Sequence, residues 1–206
     1  SNGSLFKSTA DFSGSLFNST TDFNGSSFNS TGDFRNISFN NDVYFRGSTF
    51  NGDSIFRDSK FKSKVNLGYA KFNGLAEFER SEFNKDADFE RSRFNGPAKF
   101  VAANFNGAAF FKDSVFNNIA DFSYSKFNGS AYFEDSWFKK GTDFSFVAFE
   151  QDISFNSSRF YEAGIFDSTR FRGVLYLKRA EYNKLYIRWA SISKLGYDKE
   201  SYLLLI

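Results

Sequence analysis

One large apolar residue returns along the chain at steps of six and five residues in strict alternation. The series opens at Phe6, Phe12, Phe17, Phe23 and Phe28 and runs through to Phe166, Phe171, Leu177 and Tyr182. It holds 33 positions, 30 of them Phe, and only Phe110 and Phe146 stand outside it. A second position is equally regular. Two residues before each member the side chain is small, as at Ala10, Ser15, Ala70, Ala76, Ser81, Ala87 and Ala98, with Ile37, Val43 and Ile153 as larger exceptions. Residues two apart share one side of an extended chain. Each unit therefore turns one large and one small side chain inward, and the remaining residues make a corner.

A period of eleven residues also suits a right-handed coiled coil. The intervening residues speak against it. Asn and Gly recur after the Phe, as at Asn73-Gly74, Asn95-Gly96, Asn106-Gly107 and Asn128-Gly129, and they break helices and favour turns. No heptad and no charge pairing at helical spacing accompanies the Phe. Disorder fails as well, because the aromatic series supplies the burial that disordered chains lack. The pattern predicts a β-solenoid, and the Phe series is its core.

Units such as Ala10-Asp11-Phe12-Ser13-Gly14, Ala87-Asp88-Phe89-Glu90-Arg91 and Ala120-Asp121-Phe122-Ser123-Tyr124 carry a family likeness. The chain resembles the pentapeptide-repeat proteins over roughly residues 4 to 182. The resemblance implies an all-β fold, a right-handed quadrilateral β-helix with four units per coil. The usual repeat steps by five, whereas this chain alternates five and six, as does a Phe-rich subgroup. Two corners per coil should then hold one extra residue, giving coils of 22 residues, about eight of them. Residues 22 apart should stack into four faces, led by Phe6, Phe12, Phe17 and Phe23. At one strand spacing per coil the rod is roughly 40 Å long.

The repeat occupies residues 1–192 in this reading, and residues 193–206 form a linker and a short C-terminal helix. After Tyr182 the period breaks, and Leu185, Ile187, Ala190 and Ile192 read as one irregular last coil. Asp198 suits the N-cap of a helix that carries Leu203, Leu204, Leu205 and Ile206 over that coil. The chain reads as truncated there, and it opens at Ser1 without an initiator Met, as a processed or excised chain would. Some Phe-rich relatives continue into membrane segments; a membrane link is therefore expected only through sequence beyond this chain.

Composition narrows the chemistry. Of 206 residues none is Cys, His or Met, and 26 basic residues stand against 24 acidic ones. There is no thiol nucleophile, imidazole base, disulfide framework, or His or Cys metal site. No spacing singles out a nucleophile with a base and an anion hole, and no phosphate loop occurs. The chain reads as a non-enzyme without a cofactor or metal. Some pentapeptide-repeat proteins mimic DNA and bind type II topoisomerases through a strongly acidic rod, and a net charge of +2 does not match that type. Direct nucleic-acid binding is equally unexpected. The compartment is not legible, because a Cys-free chain suits either redox environment. Seven N-x-S/T sequons, at Asn2, Asn18, Asn24, Asn29, Asn36, Asn128 and Asn156, matter only for an extracellular chain.

The outward aromatics are the candidate interaction residues. Phe110 and Tyr132 should stack on neighbouring coils of the fourth face, Tyr124 and Phe146 should stack after the second, and Trp137 and Tyr161 lie outward in the same coils. Together they predict a protein-binding region, or, if they sit on more than one face, a diluted patch. The expected partner is a protein, either another chain or a second copy in a homodimer. The basic stretch Arg57, Lys60, Lys62, Lys64 and Lys71 reads as a solvated surface. The expected role is a rigid scaffold for protein interaction, with modulation of an enzyme such as a topoisomerase as the alternative.

Overall fold

A computed structural model describes residues 3–188 and 192–196. The chain winds as a parallel β-solenoid of about eight turns with about 22 residues in each. The strands are short. The first coil contributes Leu5–Phe6, Ala10–Asp11, Leu16–Phe17 and Thr21–Asp22, and each pairs in parallel with the strand one coil on. The register is the sequence period itself: Phe6 lies against Phe28, Ala10 against Gly32, Phe17 against Phe39 and Thr21 against Val43. Four strand stacks result, one for each face of the quadrilateral.

The Phe ladder is the core. From Phe28 to Phe155 every ladder position is buried, Leu67 included. Within a stack the rings lie parallel at the coil spacing: Phe72–Phe94 and Phe94–Phe116 are both 4.7 Å apart, tilted by 4° and 1°. Across the rod the second and fourth stacks meet edge to face. Phe89 stands 5.4 Å from both Phe78 and Phe100, at 89° and 88°. Both geometries satisfy the ring quadrupole, positive edge against negative face. Small residues two before each Phe make the room, as the fully buried Ala76, Ala87, Ala98 and Ala109 show.

The two step lengths build two kinds of corner. The five-residue step holds a tight turn, closed by bonds such as Ser15 N–H to the Phe12 carbonyl at 3.1 Å and Ala103 N–H to the Phe100 carbonyl at 3.0 Å. Its third residue is left-handed, at Gly14, Gly25, Asn36, Gly47, Asp58 and every eleventh residue on to Arg179. Only three of these positions are Gly, and Tyr124 and Phe146 take φ of 59° and 58°. The Asp of each A-D-F unit helps to set this turn. Its carboxylate accepts the N–H two residues on, as in Ser13 to Asp11 at 2.9 Å and Ser123 to Asp121 at 2.9 Å. Asp does this readily because its short side chain folds back on its own backbone.

The Asn-Gly pairs mark corners too, but the wide ones of the six-residue step. There Asn amides run as ladders from coil to coil. Asn51, Asn73, Asn95 and Asn117 each donate Nδ2 to the Oδ1 of the Asn below, at 3.0, 2.8, 2.7 and 2.6 Å. The following Gly lets the corners close up, since a Cβ on Gly96 would stand 2.1 Å from the Gly74 carbonyl oxygen.

Beyond Arg159 the wide corners disappear. Long strands Arg159–Phe166, Arg170–Tyr176 and Glu181–Ile187 run straight through them. Phe160 still faces Tyr182, 22 residues on, but Ala163 faces Lys184 and Val174 faces Lys194, which are 21 and 20 on. The last coil has dropped one residue at each wide corner, and this is the physical form of the broken period. The strand Ile192–Gly196 pairs with Arg170–Tyr176 and spans the 192/193 boundary expected from the sequence. The helix expected after Asp198 lies outside the described residues.

Candidate interaction face

Outward side chains that immediately precede the ladder residues of the fourth stack form one column, each in register with the next: Tyr44, Asn66, Asp88, Phe110, Tyr132, Ser154 and Tyr176. Phe110 and Tyr132 are parallel, 5.2 Å and 10° apart, and half-buried. The column is interrupted on both sides of this pair. Between Tyr44 and Phe110, Asn66 and Asp88 leave a hollow of about 290 Å³, lined also by Lys64, Val65, Asp86 and Glu90. Between Tyr132 and Tyr176, Ser154 leaves one of about 190 Å³, lined also by Glu134, Asp152 and Asn156.

Burial raises the Asp88 carboxyl above its ordinary value, against the bond it accepts from the Glu90 N–H and the nearby Arg46 charge. Glu90 is raised too, by burial first and then by the Asp88 charge. Elsewhere on the surface carboxylates pair along the rod. Asp58 accepts Arg80 Nε at 2.7 Å and sits below its usual range for that reason.

Tyr124 and Phe146 occupy left-handed corner positions between the second and third stacks. Their rings are parallel at 4.8 Å and 5°, with 60% and 48% of each residue exposed. Trp137 and Tyr161 sit on the first stack, edge to face at 6.3 Å, and the Arg159 guanidinium lies 5.8 Å from the Trp137 ring. The two pairs expected to stack do so, and Trp137 and Tyr161, 24 residues apart, meet as well. The three pairs sit on different sides of the rod, because the positions before the fourth stack, after the second and on the first face different ways. The basic stretch is likewise distributed around the perimeter, with Arg57 held by Glu77 at 2.5 Å and Glu79 at 3.7 Å.

Sequence reasoning passed over Tyr69, a corner residue whose ring lies 4.8 Å from the Arg46 guanidinium and 5.4 Å from that of Arg91, which also donates to the Tyr69 hydroxyl. The signal was present, since Tyr69 and Arg91 are 22 apart. It also did not weigh Tyr44 and Tyr176 as walls of a recess. Among the described residues no cluster of acidic side chains is placed to hold a metal, and no helix is long and apolar enough to cross a membrane.

The family model for pentapeptide repeats (9 copies) matches in overlapping segments from residue 45 to residue 159, more than half of the chain. The chain belongs to the pentapeptide-repeat family. Among solved structures, this pentapeptide-repeat protein is similar to the trypsin-treated form of QnrB1, a plasmid-mediated fluoroquinolone resistance protein. That alignment covers 93% of this chain and 92% of the other at 11% identity, with a TM-score of 0.24. No curated protein sequence matches.

Proposed function

We propose that this pentapeptide-repeat protein is a non-catalytic scaffold that binds another protein through the fourth face of its solenoid. The observation that carries this reading is the Phe110–Tyr132 stack with a hollow on either side. These side chains are fixed on a backbone lattice with a buried aromatic core beneath it. Binding therefore costs little ordering of the receptor, and aromatic anchors beside recesses are what partner surfaces use.

The test is a photo-crosslinking amino acid at position 110, with exposed Ile119 as the control position, combined with light scattering of the purified chain. Discrete adducts from position 110 that are absent from position 119 support the reading, and the adduct mass together with the solution mass separates a second copy from a different partner. Equal adducts from both positions, or none, refute it.

Modulation of a topoisomerase, as in DNA-mimicking members of the family, is the alternative. The carboxylates Asp86, Asp88 and Glu90 on the fourth face, which form no ion pair among the described residues, favour it, and the net charge of +2 weighs against it. A gyrase supercoiling assay with neither inhibition nor protection dismisses it. A third reading, a domain tethered to a membrane segment elsewhere in its parent protein, is tested by a downstream apolar span of about 18 or more residues.

A further inference from the structure

We infer that the hollow between Tyr132 and Tyr176 receives a guanidinium group, the end of an arginine side chain of the protein partner. The inference rests on the preceding reading of the fourth face as the binding face.

The geometry comes from the parallel register. Tyr132 pairs with Ser154, and Ser154 with Tyr176. The two tyrosines are thus two coils apart, about 9.6 Å at the ordinary strand spacing, with only a hydroxymethyl between them. Where the column is complete, at Phe110 and Tyr132, consecutive rings lie parallel. Ser154 deletes one ring from that series. A planar group in its place would stand one coil from each tyrosine, the separation that the core phenylalanines keep. Phe110 covers one side of Tyr132, and Tyr176 stacks on no ring among the described residues, so both walls of the slot are open to a third planar group.

Charge then selects the group. Glu134 and Asp152 line the slot, and neither forms an ion pair among the described residues. Asp152 spends Oδ1 on the Val174 N–H at 2.8 Å, and its second oxygen has no such bond. The Asn156 Oδ1 is committed to the Lys178 N–H at 2.8 Å, and the Ser154 Oγ accepts the Asn156 N–H at 3.4 Å. The slot therefore offers carboxylate acceptors between two aromatic faces. An anion is repelled. A neutral ring would desolvate two carboxylates without bonding them. An ammonium can pair with a carboxylate but cannot stack as a plane. A guanidinium is flat, carries five donors and packs on aromatic faces.

The probe is the tripeptide Gly-Arg-Gly with blocked ends, compared with its citrulline twin, which has the same shape and no charge. Binding is read by proton NMR as an upfield ring-current shift of the arginine side chain. The wild-type chain should give a saturable shift in about the millimolar range, as expected of one stacked and charge-paired side chain. The citrulline peptide should bind about tenfold more weakly or worse, a difference of about 1.4 kcal/mol. Ser154→Tyr refills the missing rung and removes no carboxylate, so it should abolish the shift while leaving the urea midpoint unchanged. Glu134→Gln should weaken binding several-fold. Equal binding of the two peptides, equal binding by wild type and Ser154→Tyr, or no saturable shift overturns the inference. If position 110 still crosslinks to a partner in that event, the slot is wrong and the scaffold reading stands.

Discussion

Replacing Phe100 by Leu tests whether the ladder stabilises the rod by ring geometry or by burial alone. Phe100 is fully buried in the middle of the second stack. It lies parallel to Phe78 at 4.9 Å and to Phe122 at 4.8 Å. It meets Phe89 and Phe111 edge-on at 5.4 Å, and touches Phe94 at 6.1 Å and Phe105 at 6.2 Å. Leu fits a ladder position without disturbing the coil, since Leu67 does so naturally and is fully buried. Burial therefore changes little, whereas both parallel stacks are lost. At about 0.5–1.5 kcal/mol per aromatic pair beyond area burial, the two parallel stacks alone put the loss at no less than about 1–3 kcal/mol, before the edge-on pairs are counted. Phe100→Ala removes the burial as well and should cost about 3–5 kcal/mol. Phe12→Leu provides the internal control. Phe12 is half-exposed at the first coil and has one parallel partner, Phe34 at 5.2 Å, so its loss should be about half that of Phe100→Leu or less. Urea denaturation followed by circular dichroism reads all three, with an unchanged slope required for the comparison. A Phe100→Leu midpoint indistinguishable from wild type, or one shifted no further than Phe12→Leu, refutes the reasoning.

Other substitutions test the corners and the small inward positions. Gly96→Ala places a Cβ against the Gly74 carbonyl and should cost about 1–3 kcal/mol. Gly141→Ala meets no atom within 4 Å and should be neutral or slightly stabilising, so equal thermal melting points would contradict the close-approach account. Ser81→Ala removes a buried bond from Oγ to the Phe56 carbonyl at 2.5 Å and should cost about 1 kcal/mol. Ser92 has a buried Oγ without a partner, so Ser92→Ala should cost nothing measurable in the same melts. Asp88→Asn keeps the turn bond, as Asn66 does to the Gly68 N–H at 2.9 Å, and deletes a charge that burial disfavours. The native Asp88 holds its proton to higher pH than the unfolded chain does. Its penalty is absent below the ordinary value of 3.8 and grows as pH rises through the raised native value. Asp88→Asn should therefore be more stable than wild type near neutral pH and equal to it in acid; equal midpoints at both pH values would refute this.

The solenoid, its coil length and its core were legible in the sequence because one constraint repeats. A side chain that must stack on its copy one coil away has to recur at the coil period, so Phe6, Phe28 and Phe50 announce their own contact. The two step lengths likewise announced two kinds of corner. The chemistry of those corners was not legible. The left-handed position is filled by Tyr, Arg, Ala and Asp more often than by Gly, because bonds closing the tight turn on every coil impose a conformation that the local residue alone would not choose. The Asn-Gly pairs, which look like tight turns, serve instead as amide ladders and close backbone contacts.

At the interaction face the division is the same. The sequence by itself placed Phe110 on Tyr132 and Tyr124 on Phe146, because these outward residues obey the same 22-residue spacing as the inward ones; Trp137 and Tyr161 are 24 apart, and their contact came only from the structure. Which pairs share a surface depends on how each corner turns the chain, and periodicity carries no angle. The tertiary structure decided that the three pairs face different ways, that Asn66, Asp88 and Ser154 open hollows in an aromatic column, and that the carboxylates beside them form no ion pair among the described residues. Hollows and unpaired charges are properties of four faces closed around one core, where a missing side chain matters only through the neighbours that the fold sets above and below it.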